Sequence, residues 1–221
     1  DDDGLRVPPR IAPHQIVIIP MLREAPEDAE LIAYCAELRV ALAGQSALGE
    51  RLRVLLDTKP GKSAAKRWDW VRKGAPIIIE VGPRDMAEGK IALLRRDKLW
   101  NAENGKPAFT YPLQSDFVAL AGGLLEEIQQ GLYDEARSRR DANITRGVTE
   151  WQAVVDHFEK GGKYPGWVEV EWAKPTGAAL DAVVEKLKAV KLTIRNVPRG
   201  GDAASGACIF TGEPAVERIL V

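Results

Sequence analysis

The chain has 221 residues, of which 45% are hydrophobic, 29% charged and 6% aromatic, a composition that supports two modest hydrophobic cores and excludes disorder or a collagen-like fibre as an overall description. Its longest apolar runs, such as Ile16 to Ile19 and Ile77 to Ile79, fall far short of the ~18 residues a membrane helix requires, and the opening Asp1-Asp2-Asp3 is unlike a basic leader. Net charge is -1, yet residues 51 to 100 hold 13 Lys/Arg against 6 Asp/Glu, so a basic block sits inside a near-neutral chain and suggests a local polyanion-binding face.

Two cysteines, Cys35 and Cys208, cannot build a disulfide framework or a four-cysteine zinc site, and a reducing cytoplasm fits them best. Residues 4 to 13 carry three prolines and read as an extended connector. Gln15-Ile-Val-Ile-Ile-Pro20 follows as a strand with both faces buried. From Ala25 to Ala43, apolar residues recur every three or four positions, acidic residues open the pattern and Gly44 closes it, which predicts an amphipathic helix. Arg53 to Asp57 gives a second strand, Ser63 to Lys73 a short basic helix, and Pro76 to Val81 a third strand. A β-α-β-α-β order implies parallel pairing. Lys90 to Arg96 is expected to be a fourth strand, joined to the third in a hairpin by a long polar loop over 82 to 89.

A proline- and glycine-bearing passage, Asn101 to Pro112, precedes a helical stretch from Ser115 to about Arg140 and a second from Thr149 to Lys160, with Thr149 as its expected N-cap. Trp167-Val-Glu-Val-Glu-Trp172 alternates strictly, predicting a half-exposed strand with Glu169 and Glu171 on a solvated face. A helix over 178 to 190, a strand over 191 to 197 and a last strand over 217 to 221 complete a smaller α+β unit. The expected organisation is a connector (1–13), an α/β domain with a mixed sheet flanked by helices (14–112), connecting helices (113–160) and a small α+β domain (161–221).

Signatures of catalysis are missing. Gly61-Lys62-Ser63 ends like a phosphate loop, but Leu56 stands where its first glycine is required. His14 and His157 accompany no nucleophile motif, and structural roles are expected for both. More informative is the segment from Asp57 to Asp85, where Lys59, Lys62, Lys66, Arg67, Arg72, Lys73 and Arg84 interleave with Trp68 and Trp70. Cations hold phosphates and indoles stack on unpaired bases, a combination suited to single-stranded RNA loops. Either tryptophan serves equally well to pack the short helix on the sheet. Arg84-Asp85 could read a base edge, the guanidinium donating and the carboxylate accepting.

These residues resemble the C-terminal half of the prolyl-tRNA synthetases. Asp2-Asp3-Gly4-Leu5-Arg6-Val7-Pro8-Pro9-Arg10-Ile11-Ala12-Pro13 looks like that family's exit from its class II catalytic core. Lys73-Gly74-Ala75-Pro76 followed by Glu80-Val81-Gly82-Pro83-Arg84-Asp85 is similar to its K-G-x-P and E-x-G-P-[RK]-D motifs. The resemblance implies an anticodon-binding domain and a small C-terminal domain, with Lys66, Arg67, Trp70, Lys73, Arg84 and Asp85 facing RNA. It also implies a proline-accepting tRNA as partner and neither DNA nor membrane, a homodimeric parent, and an ATP- and Mg-dependent catalytic domain outside this chain, which alone should catalyse nothing. The chain departs from the family at Val71 and Ile78, where some members carry an acid and an arginine proposed to read bases. Only Cys208 matches the family's four zinc cysteines, with Thr211 at the second position, so no zinc is expected. The alternative is a non-catalytic protein-interaction or scaffold module on the same fold, and a weaker third is a small-molecule enzyme at the strands' carboxyl ends.

Overall fold

The computed structural model describes residues 2–200 and 203–221. Two compact units divide the chain after Glu135.

In the first unit, β1 (Ile16–Pro20) lies between β4 (Val54–Leu56) and β5 (Ile77–Val81), parallel to both. β6 (Ala92–Arg95) closes the order β4-β1-β5-β6 as an antiparallel edge on β5. Period-two alternation sends Ile16 and Ile18 into one core, with Leu31, Cys35 and Leu38 of α1 (Asp28–Ala43) and Phe117, Leu125 and Ile128 of α4 (Gln114–Ala142). Val17 and Ile19 enter a second core on the other face, with Val71 of α2 (Ser63–Lys73), Ile78 and Leu94. Both sheet faces are covered, which is why the strands read as unbroken apolar runs.

The expected 82–89 loop is instead a short helix, α3 (Pro83–Glu88). Pro83 takes the first helical position, where a missing N–H costs nothing, and Gly89 ends the helix with φ +64°. Sequence reading also missed a small hairpin, β2 (Ser46–Ala47) with β3 (Glu50–Arg51), turning through Leu48 and Gly49, both at positive φ. Residues 4–13 form neither helix nor strand but are strapped to this unit. Leu5 N–H donates to Arg72 O at 2.9 Å, and the buried Arg96 guanidinium donates to Gly4 O at 3.2 Å. Arg53 donates to the carbonyls of Pro9, Arg10 and Ala12.

The second unit pairs β8 (Trp167–Trp172) with β7 (Ile144–Thr145) in parallel and with β9 (Glu217–Leu220) antiparallel. Val168, Val170 and Trp172 face a core completed by Val154 of α5 (Trp151–Lys160), Val183 and Leu187 of α6 (Ala178–Ala189), Cys208 and Ile219. The expected alternation is present. Its outer face is not simply solvated, because Glu171 accepts from Arg218 at 2.8 Å and Glu169 lies 3.7 Å from Arg146. Thr149 does not cap α5, whose N-cap position is Glu150. Residues 191–197 form no strand: two hydrogen bonds, Arg195 N to Leu220 O and Leu220 N to Asn196 O, touch β9 without extending into a ladder.

Candidate nucleic-acid interface

Parallel pairing of β4, β1 and β5 brings their carboxyl ends, and the segments that follow them, to one edge of the first unit. Crevices at this end of an open α/β sheet are the usual ligand sites of such folds. A cavity of about 410 Å³ opens there, lined by Met21 to Arg23 after β1, Lys62 and Ser63 at the start of α2, and Gly82 to Asp85 after β5. A second, of about 430 Å³, is lined by Arg84, Asp85, Glu88, Lys90 and Tyr111. Arg84 and Asp85 border both.

Arg84 is the exposed member, with 89% of its side chain accessible. Its Nε donates to Glu88 Oε1 at 2.8 Å one turn along α3, and Lys90 Nζ donates to the other oxygen at 2.9 Å. These two hydrogen bonds and charges hold the Glu88 carboxyl down at about 2. Asp85 turns inward: its Oδ2 accepts from Gly82 N–H at 2.8 Å, closing the first turn of α3. The Asp85 carboxylate therefore positions Arg84 as well as bordering the cavities.

The residues of α2 divide differently. Lys66, with 10% of its side chain accessible, donates to the carbonyls of Asp57 and Lys59, both at 2.9 Å, and lies 3.7 Å from the buried Asp57 carboxylate. Trp70 Nε1 donates to Asp57 Oδ2 at 2.7 Å. Burial alone would raise the Asp57 carboxyl, but the hydrogen bonds from Trp70 and the Lys59 amide, with the Lys66 charge, hold it below the usual range. Asp57, Lys66 and Trp70 thus fix the loop that delivers Lys62 and Ser63 to the first cavity. Arg67 grips the buried Glu80 through two hydrogen bonds of 2.8 and 2.9 Å, its guanidinium over the Trp68 and Phe109 rings. Burial pushes the Glu80 carboxyl up while Arg67 pulls against it. Lys73 is exposed, pairs with Asp69 and lies 4.5 Å above the Trp70 ring.

Of the six residues singled out from sequence, then, the structure brings Arg84 and Asp85 to the crevice and places Lys66, Arg67 and Trp70 in the packing behind it, with Lys73 at the far end of α2. Trp68 and Trp70 both pack against the second core, and Trp68 stacks on Trp100 with ring centroids 5.5 Å apart. Val71 and Ile78 are buried and present nothing to a ligand. Tyr111 escaped the sequence reading because Pro107 and Pro112 make its surroundings look like a separator. It is exposed and stacks on Phe109 beside Arg84's cavity, on a segment bridged to β6 through Leu93 and Thr110. Among the described residues no helix is long and apolar enough to cross a membrane, and no three His, Cys, Asp or Glu side chains gather as metal ligands would.

Residues 15–104 match the family model described as anticodon binding domain. Over all 221 residues the chain is 59% identical to a proline–tRNA ligase of Erythrobacter litoralis and 58% identical to one of Novosphingobium aromaticivorans, covering 43% of each. At greater distance, one of Akkermansia muciniphila is 33% identical over 222 aligned positions, with 42% of it covered. The chain spans less than half the length of the curated relatives it matches. Across its whole length the chain is thus similar to a part of proline–tRNA ligases, and residues 15–104 match an anticodon-binding domain.

Proposed function

We propose that the first unit reads the anticodon of a proline-accepting tRNA through the crevice at the carboxyl ends of β1, β4 and β5. The observation that carries this reading is the exposed Arg84 guanidinium, standing between two cavities on a domain that matches anticodon-binding domains. Arg84 would donate to a base edge, Tyr111 would offer a ring face for a neighbouring unpaired base, and Lys62 and Lys90 would hold phosphates. Lys73 adds charge at the surface, while Lys66, Arg67, Trp70 and Asp85 act by positioning. The whole protein would activate proline with ATP and Mg and transfer it to tRNA in the cytoplasm, as a homodimer, through a catalytic domain outside these residues. Nothing in this chain's chemistry is assigned to that step, and no zinc is invoked.

The test is fluorescence anisotropy of the 221-residue chain with a proline tRNA transcript and an anticodon-substituted version, each at two salt concentrations. The expected result is tighter binding to the proline anticodon, with Arg84→Ala reducing that preference by roughly 5- to 150-fold, equivalent to ~1–3 kcal/mol of base discrimination. Equal losses for both transcripts would sink the assignment of Arg84 as a reader.

A further inference from the structure

A groove in the second unit is left unused by anticodon reading. Arg137, Arg140 and Asp141 near the end of α4, Arg146 just past β7, Glu169 on β8 and Arg199 wall a cavity of about 480 Å³. Asp141 gathers three of these guanidiniums, with N···O separations of 2.7 Å to Arg140, 3.5 Å to Arg146 and 3.8 Å to Arg137. Arg146 also lies 3.7 Å from Glu169, and Arg199 has no ion pair among the described residues. Each guanidinium is permanently charged and carries five N–H donors, so two carboxylates cannot saturate four of them.

Depth sharpens the asymmetry. The side chains of Arg137, Arg140 and Arg146 are 60%, 61% and 47% accessible, against 37% for Asp141 and 11% for Glu169. The anions sit deeper and organise the cations, so the surface offered to solvent is positive. Ile144, Pro198 and Leu220 add apolar surface that an inorganic ion could not use.

We propose that this arginine-lined groove binds the phosphodiester backbone of single-stranded RNA, the guanidinium forks taking phosphate oxygens while Ile144, Pro198 and Leu220 accommodate a ribose or base. Only the choice of RNA over DNA rests on the anticodon reading.

The experiment uses the full chain carrying Arg84→Ala, so that anticodon recognition cannot dominate, and a labelled, unstructured oligoribonucleotide of roughly 12 nucleotides. Arg199→Gln, which breaks no ion pair among the described residues, should weaken binding about 2- to 3-fold, and Arg140→Gln with Arg199→Gln about 10-fold. The slope of log K against log salt should become shallower by about 0.7 for each phosphate that no longer meets a guanidinium. Thermal melts distinguish weakened binding from a damaged fold, and Arg199→Gln carries the test if the Arg140 variant is destabilised. Unchanged affinity and slope in both variants overturn the proposal. So does inorganic phosphate that shifts the arginine resonances while oligonucleotide binding ignores the substitutions. Because the oligonucleotide has no anticodon loop, failure here leaves the Arg84 reading standing, and failure of Arg84 leaves this groove standing.

Discussion

Asp57 is the residue on which the interface's shape depends, although it presents nothing to RNA. Its carboxylate accepts from Trp70 and the Lys59 amide and faces Lys66, with only 5% of its side chain accessible. A carboxyl held below its unfolded value adds stability that is complete above ~3.9 and is lost as pH falls through its folded value. Asp57→Asn should therefore lower unfolding free energy by about 1–3 kcal/mol at neutral pH and flatten the acid limb of a urea-denaturation series measured from neutrality downward. Lys66→Ala should likewise destabilise, so any loss of RNA affinity would track the melting temperature. Arg84→Ala behaves differently: with Arg84 fully outside the core, stability should hold while the Glu88 carboxyl rises from about 2 toward its ordinary range in an NMR titration. Composition and spacing identified α2 as basic and aromatic but could not reveal that Lys66 and Arg67 turn toward backbone carbonyls and a buried glutamate. That information resides in long-range geometry, in this case Glu80 on the neighbouring strand.

At the scale of elements, strand and helix periodicity was legible wherever both faces of an element meet apolar neighbours. β1, α1, α2 and β5 lie within three residues of their expected bounds because their patterns are long or uninterrupted. α3 was missed because six residues with Met86 as the one large apolar side chain carry no periodicity, and only Pro83 and Gly89 mark its ends. The segment 191–197 misled for the opposite reason. Its apolar alternation matches a strand, but Lys191 at φ +59° and the single bridge at Asn196 leave no room for a ladder. Gly74 ends α2 at φ +79°, and a Cβ there would lie 2.7 Å from Val7 Cγ2 and 2.9 Å from Leu5 O. Gly74→Ala should cost about 1–3 kcal/mol, read by chemical denaturation, through left-handed strain and displacement of the strap.

For the whole molecule, the β-α-β-α-β order was enough to predict a mixed sheet with helices, and the motif around Arg84 pointed to the same relatives that the whole-chain similarity finds. The division into units falls within α4, a continuous helix with no proline or composition break to announce it. Each unit happens to carry one buried thiol, Cys35 in the first and Cys208 in the second. Burial pushes Cys35 up to about 12. Burial acts the same way on Cys208, but hydrogen bonds from Thr211 and nearby amides outweigh it and hold the thiol below its usual value. Pulsed alkylation across a urea series should label Cys208 at lower denaturant than Cys35, since the second unit has the smaller core and the readier thiolate; the reverse order, read by mass spectrometry, would contradict this.

The strap over residues 4–13 also bears on motion. Leu5 and Val7 donate their amide hydrogens to the carbonyls of Arg72 and Gly74, at the end of α2. These amides can exchange with solvent only when the strap lifts, and lifting it exposes the Gly74 cradle and the buried Arg96 donors together. Strap and helix end should therefore take up deuterium on a shared clock, slow by the standards of a proline-rich segment, so that any chain preceding Gly4 would leave the domain from an anchored point with a defined heading.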